Sequence, residues 1–477
     1  MPVLQKISRA HLLKLLSGPL LFAAAAAMPG GPGREASAAL GLLLWMCCWW
    51  VTIPVPVAVT ALLPIVVNAF CNLVPMGTVT AKFFSEIVVL LLGADLLSLS
   101  WEKCGLDKRL AMRALCLIGP KISQQIIIWF VLATVLSMLL PNAVVCAVML
   151  PIAISMLKFV GESDIAASRV AAVIMAAITW GSGIGGLGTP LGGAMNLVAV
   201  DYFEQLGGQE YAYASWTLHL LPFLLLLIIS NLAIIFLIRL DKRRLPGSRD
   251  FFMAEYAKLP PMSRDEKISL LFFVLATLLA FLRPLYAGIL PGLKPAYVFL
   301  LLGILTIICP SGTPGRQTLL SWKEAEQGVL WGLLFIFAGG TALGTIITDT
   351  GAADAIARVV AAMNLTGGFI TILVFTAFTV LLAESASNTA AAAISLPIIL
   401  SVTQAAGLNP IPYIYITAAA FNASYMLPTS IRAIPIGYGL SPGFLFCHGC
   451  KQTITSILLI SVLGWLLIRF WPYFSII

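Results

Sequence analysis

What most constrains this chain is where its charges are missing. Residues 36–81, 122–157, 170–200, 211–238, 295–315, 327–348, 359–383 and 385–431 contain no Asp, Glu, Lys or Arg. A transmembrane helix needs about 20 mostly apolar residues. Several of these runs exceed that, and the longest two can hold two passes or a broken one. A β-barrel would show short alternating segments instead. The fold class is therefore an all-α polytopic membrane protein. Composition agrees: 60% of the 477 residues are apolar and 10% charged, against about 25% charged in a soluble domain. Too few charges remain to hydrate a soluble surface. A cytosolic globular enzyme, a disordered chain and a nucleic-acid binder are all excluded.

Helical spans are expected over 12–28, 38–53, 56–72, 84–101, 217–239, 268–289, 295–310, 328–348 and 453–471. Interrupted spans are expected over 122–158, 168–205, 367–403 and 412–439. The polar connections are 239–267 and 311–326. The net charge of +8 sits in clusters. Lys6, Arg9 and Lys14 place the N-terminus in the cytoplasm by the positive-inside rule. Lys103, Lys108, Arg109, Arg113 and Lys121 mark a second cytoplasmic loop, and 239–267 a third. The apolar stretch Leu12–Met28 reads as a retained first helix, because the cluster after it lacks a small-x-small cleavage pattern. The nine cysteines lie mostly in apolar runs, the usage of a small core residue and not of a disulfide framework.

An internal repeat organises the chain. Residues 246 apart match without a gap: Gly93 with Gly339, Leu97 with Leu343, Gly105 with Gly351, Ala111 with Ala357, Asn142 with Asn388, Leu150-Pro151-Ile152 with Leu396-Pro397-Ile398, and Ser155 with Ser401. The loop after the glycines is basic in the first copy, and in the second it holds Asp349, Asp354 and Arg358. Opposite charge suggests opposite sides of the membrane. Inverted repeats are a signature of secondary transporters. The organisation read here is an N-terminal segment 1–35, a first repeat 36–239, a basic cytoplasmic linker 240–267 and a second repeat 268–477.

Both repeats are interrupted at matching places. Ser137-Met-Leu-Leu-Pro-Asn-Ala-Val144 answers Glu384-Ser-Ala-Ser-Asn-Thr-Ala390. Further on, Gly181–Asn196 carries seven glycines, too many for a stable straight helix, and it answers Met426–Pro435, with Pro190 and Pro428 separated by 238 residues. Backbone that leaves the helix at membrane depth must be satisfied by protein or line a wet cavity. Matched breaks point to a midplane binding site. Helix N-termini there offer N–H groups to an anion. Asn, Ser and unwound carbonyls offer oxygens to a hard cation such as Na⁺.

The two-copy order of these motifs, with Ser-Asn-Thr, Leu-Pro-Ile, a Gly-Gly-x-Gly-Thr break and Met-Leu-Pro, resembles the divalent-anion:sodium symporter family over roughly residues 40–475. That resemblance implies about eleven transmembrane helices, two re-entrant hairpins and a homodimer whose protomers carry scaffold and elevator-like transport domains. Ser387, Asn388 and Thr389 then match the substrate motif. Ser137, Asn142 and Gly192 fall where the family places one sodium ion. Ala383, Ala386, Asn388 and Ser430 fall where it places another. The first motif departs, reading Pro141-Asn142-Ala143 with two hydroxyls missing. The later stretches also depart, as Gly192-Gly-Ala-Met-Asn196 and Ile431-Arg-Ala-Ile434.

Arg432 is the only charge between Glu384 and Lys451. An intramembrane charge is expensive and usually functional. It reads as a planar fork clamping the anion, as a fixed cation replacing a Na⁺, or as a structural partner of Glu384. Asp95 reads equally as a hydrogen-bonding brace or as part of an ion path. Cys447-His448-Gly449-Cys450 reads as a short loop before the last helix, having too few ligands for zinc. The sum is a secondary active transporter of small di- or trivalent anions in the cell membrane. It would bind its anion through Asn142, Ser387, Asn388, Thr389 and Arg432, couple to Na⁺, and need no further cofactor. A sodium-independent exchanger of the same fold, a membrane-embedded enzyme and a channel are the rival readings.

Overall fold

The computed structural model describes residues 9–27, 32–162, 164–353, 355 and 367–476. Of the residues named above, Lys6, Met28, Asp354, Ala357 and Arg358 lie outside them. Sixteen helices carry the account that follows: α1 (Arg9–Ala26), α2 (Arg34–Thr52), α3 (Glu86–Cys104), α4 (Leu106–Leu115), α5 (Ile122–Ser137), α6 (Asn142–Phe159), α7 (Arg169–Gly185), α8 (Ala194–Gly207), α9 (Tyr213–Phe236), α10 (Arg264–Phe281), α11 (Pro295–Ile308), α12 (Trp331–Asp349), α13 (Phe369–Ser385), α14 (Asn388–Ala405), α15 (Pro410–Phe421) and α16 (Pro442–Phe470). Among the described residues there is no strand, only two isolated bridges. Among the described residues, eight helical stretches are long and apolar enough to cross a membrane.

Large apolar side chains cover the outside of the helices, the reverse of a water-soluble bundle, while polar residues are buried among the apolar core. On α16, Ile454, Leu458, Val462, Leu466 and Phe470 are exposed. A four-residue spacing puts them on one stripe of the helix. Gln452, Thr453, Ser456 and Ser461 of the same helix are buried. Only hydrocarbon makes that distribution favourable, because water would leave the stripe uncovered. With this pattern and the charge-free runs, the chain is an all-α integral membrane protein.

Small residues set the closest helix contacts. A Cβ on Gly181 would stand 2.5 Å from the Phe130 carbonyl oxygen, and one on Gly185 would overlap that of Thr134. The two glycines therefore let α7 lie directly on α5, the small-xxx-small device of membrane helices. The break expected over Gly181–Asn196 is present but shorter than the glycine run. Helix α7 continues to Gly185, followed by a 3-10 turn at Gly186–Gly188, and true irregular backbone covers only 189–193. Gly93 allows the same approach of α3 to Phe299 and Leu300 on α11. Gly105 and Gly351, 246 residues apart, both take left-handed backbone, at φ 78° and 72°.

Three polar stretches are more ordered than their composition suggests. The basic segment after residue 103 contains α4, the 239–267 connection contains a helix at Ser248–Ala257, and the 311–326 connection runs into one at Trp322–Gly328. Cys447, His448 and Cys450 are not in a loop: α16 starts at Pro442 and runs through them. Pro442 after Ser441 favours a helix start there.

Candidate functional site

Helix α5 ends at Ser137, and Met138-Leu139-Leu140-Pro141 leave the helix before α6 starts at Asn142. Pro141 has no N–H for a continuing helix and fits the position before a new one. Ser137 Oγ donates to Asn142 Oδ1 at 2.7 Å, and Asn142 Nδ2 reaches the Gly183 carbonyl at 3.4 Å. The second break crosses this tip. Thr189 Oγ1 donates to the Met138 carbonyl at 2.5 Å, and the Gly192 N–H donates to Thr189 Oγ1 at 3.0 Å. Asn196 holds the far side, donating to the carbonyls of Gly186 at 2.6 Å and Thr189 at 2.9 Å.

The result is a concentration of oxygens around two glycines. A Cβ at Gly192 would lie 2.7 Å from the Ser137 carbonyl oxygen and 2.8 Å from that of Gly186. One at Gly186 would lie 3.0 Å from Asn142 Oδ1 and 3.1 Å from Asn422 Oδ1. Asn422 is fully buried. Its Nδ2 donates to Asn196 Oδ1 at 3.1 Å and to the Ala418 carbonyl at 2.9 Å, but its Oδ1 has no hydrogen-bond partner. An unpaired buried acceptor is costly and calls for an explanation. Neutral oxygens converging beside an orphaned one are the donor set of a hard monovalent or divalent cation.

The second tip is built differently. Helix α13 ends at Ser385, and Ser387 caps α14 by accepting from the Ala390 N–H at 3.1 Å. Asn388 Oδ1 accepts from Ser424 Oγ at 2.9 Å. Ser387 is half-buried, while Asn388 and Thr389 are each 8% exposed at the start of α14. Beside them sits Glu384, 1% exposed. Its carboxylate accepts from the backbone N–H groups of Tyr425 at 2.6 Å, Met426 at 2.9 Å and Leu427 at 3.1 Å, and from Thr453 Oγ1 at 2.6 Å. It thereby satisfies the backbone where α15 has ended and residues 422–429 run without a helix.

Arg432 is equally enclosed and points into this break. Its Nε donates to the Leu427 carbonyl at 2.7 Å, and its Nη1 donates to Ser424 Oγ. Its Nη2 donates to Thr429 Oγ1 at 2.6 Å and to the carbonyls of Ala383 at 3.0 Å and Glu384 at 3.2 Å. The fork expected to clamp an anion is spent on protein oxygens, so the clamp reading of Arg432 is corrected.

Of the residues singled out in the sequence, Ser137, Asn142 and Gly192 come together at the first tip. Ala383 and Asn388 come together around Arg432 at the second, with Ala386 buried beside them in the chain. Ser430 stands apart, exposed and in left-handed backbone at φ 52°. Both tips converge on one short segment, Asn142 through Gly186 to Asn422, and Asn388 directly to Ser424. Asp95 accepts from the Leu330 N–H at 3.1 Å and so braces the start of α12. Sequence reasoning missed Asn422, Ser424, Thr429 and Thr453. Their one signal was polarity in apolar runs, and each acquires its partner only in three dimensions.

Residues 47–420 match the model of the citrate transporter (CitMHS) family. The chain belongs to the citrate transporter family. It is also similar to the sodium-dependent dicarboxylate transporter of Staphylococcus saprophyticus, at 28% identity over 450 residues, covering 90% of this chain and 86% of that protein. The transporter of the same name from Staphylococcus aureus is 29% identical over 449 residues, covering 91% and 86%. The resemblance to the divalent-anion:sodium symporters therefore holds over nearly the whole chain. This member of the citrate transporter family is an anion transporter, and the reading as a membrane-embedded enzyme falls.

Proposed function

We propose that the protein is a secondary active carrier of small di- or trivalent anions, dicarboxylates first, driven by sodium. The observation that carries this reading is the buried, unpartnered Asn422 Oδ1, which like Asn142 Oδ1 lies about 3 Å from where a Cβ on Gly186 would stand, at the tip where the Ser137 and Gly186 carbonyls approach Gly192. In this reading the ion is held by the Ser137 and Gly186 carbonyls, Asn142 and Asn422, with Gly192 keeping the space open. Ser387, Asn388 and Thr389, at the start of α14, hold the anion with Asn142. Helix N-terminal N–H groups and neutral amides suit a carboxylate, and a sulfate or sulfonate presents anionic oxygens of the same kind. A sodium ion lowers the cost of placing that charge at mid-bilayer. Names of similar proteins support both sodium and a dicarboxylate.

The architecture we infer has about eleven transmembrane helices and two re-entrant hairpins in two inverted repeats. The 122–205 and 367–439 units move as one body against the rest, within a homodimer in the cell membrane whose N-termini are cytoplasmic. Purified protein in liposomes, given radiolabelled succinate, citrate or sulfate, tests the reading. Uptake driven by an inward sodium gradient is expected. Uptake indifferent to sodium but accelerated by anion trapped inside would establish the sodium-independent exchanger instead.

A further inference from the structure

The two tips are matched position for position, and one of them is already filled. Residues 246 apart pair the Ser137 carbonyl with that of Ala383, and Asn142 with Asn388. The 238-residue spacing of the second breaks pairs Gly186 with Ser424 and Gly192 with Ser430. A crossing contact recurs with its donor shifted by two residues: Thr189 donates to the Met138 carbonyl, and Thr429, 240 residues on, donates to the Glu384 carbonyl at 2.9 Å. In the first half, the oxygens of Ser137, Asn142 and Gly186 gather around Gly186 and Gly192 beside the orphaned Asn422 Oδ1, and are bonded only to neutral hydroxyl and amide groups where they are bonded. In the second half, the corresponding Ala383 carbonyl and Ser424 hydroxyl both receive N–H groups of Arg432, and Ser424 is bonded in turn to Asn388.

We infer that Arg432 is a built-in cation, occupying in the second half the place that a sodium ion takes in the first. This rests on the sodium-coupled reading and deepens it. The set Ala383, Ala386, Asn388 and Ser430 does not fit a second sodium ion, because a guanidinium, 1% exposed, already holds the Ala383 carbonyl and Ser430 is exposed, outside the buried group around Arg432. Charge explains why a tethered cation belongs there. Glu384 lies 3.7 Å from Arg432 and is itself buried, whereas its counterpart in the first half is Met138. The second half therefore needs a permanent positive charge in every step of the cycle, and the first needs one only when the anion is aboard. A buried carboxylate left without its partner is strongly unfavourable. A side chain supplies that charge without drawing on external sodium.

The test is the sodium-to-anion flux ratio of the wild-type protein in liposomes, with labelled sodium and succinate, and the shape of its sodium activation. One sodium ion per succinate and hyperbolic activation are expected. A ratio of two or more, with sigmoidal activation, overturns the inference while leaving sodium coupling standing. Sodium-independent succinate uptake instead removes the coupling reading, and the one-sodium count with it. A second measurement uses no transport. Arg432→Ala opens the cradle to ions, so its melting temperature should rise more steeply with sodium, at constant ionic strength, than that of wild type. Sodium responses of equal slope overturn the inference. If the variant does not fold, the wild-type flux ratio still decides.

Discussion

Ser137 Oγ and Asn142 Oδ1 are joined by a 2.7 Å hydrogen bond that closes the tip between α5 and α6 on itself. The hydroxyl fixes the amide, while the carbonyl of the same serine faces Gly192. Ser137→Ala removes the orienting bond but keeps that carbonyl. A bond of this kind contributes about 1 kcal/mol, so half-saturating sodium should rise about fivefold. Maximal uptake should be little changed. Asn142→Ala removes the oxygen itself and should cost tenfold or more. Sodium activation curves of the two variants check the order.

Asn422 separates a ligand from a structural residue. As a mere orphan, its Oδ1 would be a burden, and replacing it with an apolar side chain would be neutral or stabilising. Asn422→Leu should instead weaken sodium activation by about tenfold. Stability in sodium-free buffer should fall only modestly, through loss of the bonds to Asn196 and Ala418. Unchanged sodium activation would return Asn422 to packing alone.

Glu384 holds the break after α15 together from one side. Glu384→Gln keeps the shape but turns one acceptor into a donor facing backbone N–H groups. It also leaves Arg432 a buried charge without a counter-ion. Removing one partner of a buried pair costs roughly 3–5 kcal/mol. Thermal melting in detergent should fall accordingly, whatever the substrate.

Much of this was readable along the chain. Charge-free runs located the helices because hydrocarbon tolerates few charges, and Pro141, Ser387 and Thr189 marked where backbone leaves the helix. The helix through Cys447–Cys450 was missed because polar composition reads as loop, although Pro442 sits where a helix starts. Arg432 could be seen as important but not aimed. Its direction is set by carbonyls of Ala383 and Leu427, and main-chain acceptors leave no mark in a sequence. Asn422 was passed over for a similar reason, since its partner Asn196 is 226 residues away.

Glycines at the α5–α7 contact give a paired prediction. Gly185→Ala would drive a methyl into the Thr134 carbonyl, whereas a Cβ at Gly183 meets only Ile431 Cδ1 at 3.6 Å. Overpacking of a tight core costs about 1–3 kcal/mol. Alanine is the better helix former by about 1 kcal/mol. Gly185→Ala should therefore lower the melting temperature, and Gly183→Ala should hold or raise it. Equal losses in both would mean that the contact does not govern stability.

Outside the bilayer-facing helices, Glu162 ties the α6–α7 connection to the basic segment. Hydrogen bonds from Lys242 and Ser168 hold its carboxyl below the usual carboxylate range. A carboxyl whose folded value is depressed stabilises the fold above its unfolded value, about 4.3 for glutamate. That contribution is lost as pH falls through the folded value. Melting temperature should thus be flat near neutrality and decline on the acid side. Lys242 is more than half exposed, so salt screens the pair and the effect is modest. Lys242→Met should make the acid decline shallower, with Ser168 still donating, and Glu162→Gln should remove this component. A wild-type acid limb identical to that of Glu162→Gln would show that the connection between these two segments does not depend on this carboxylate.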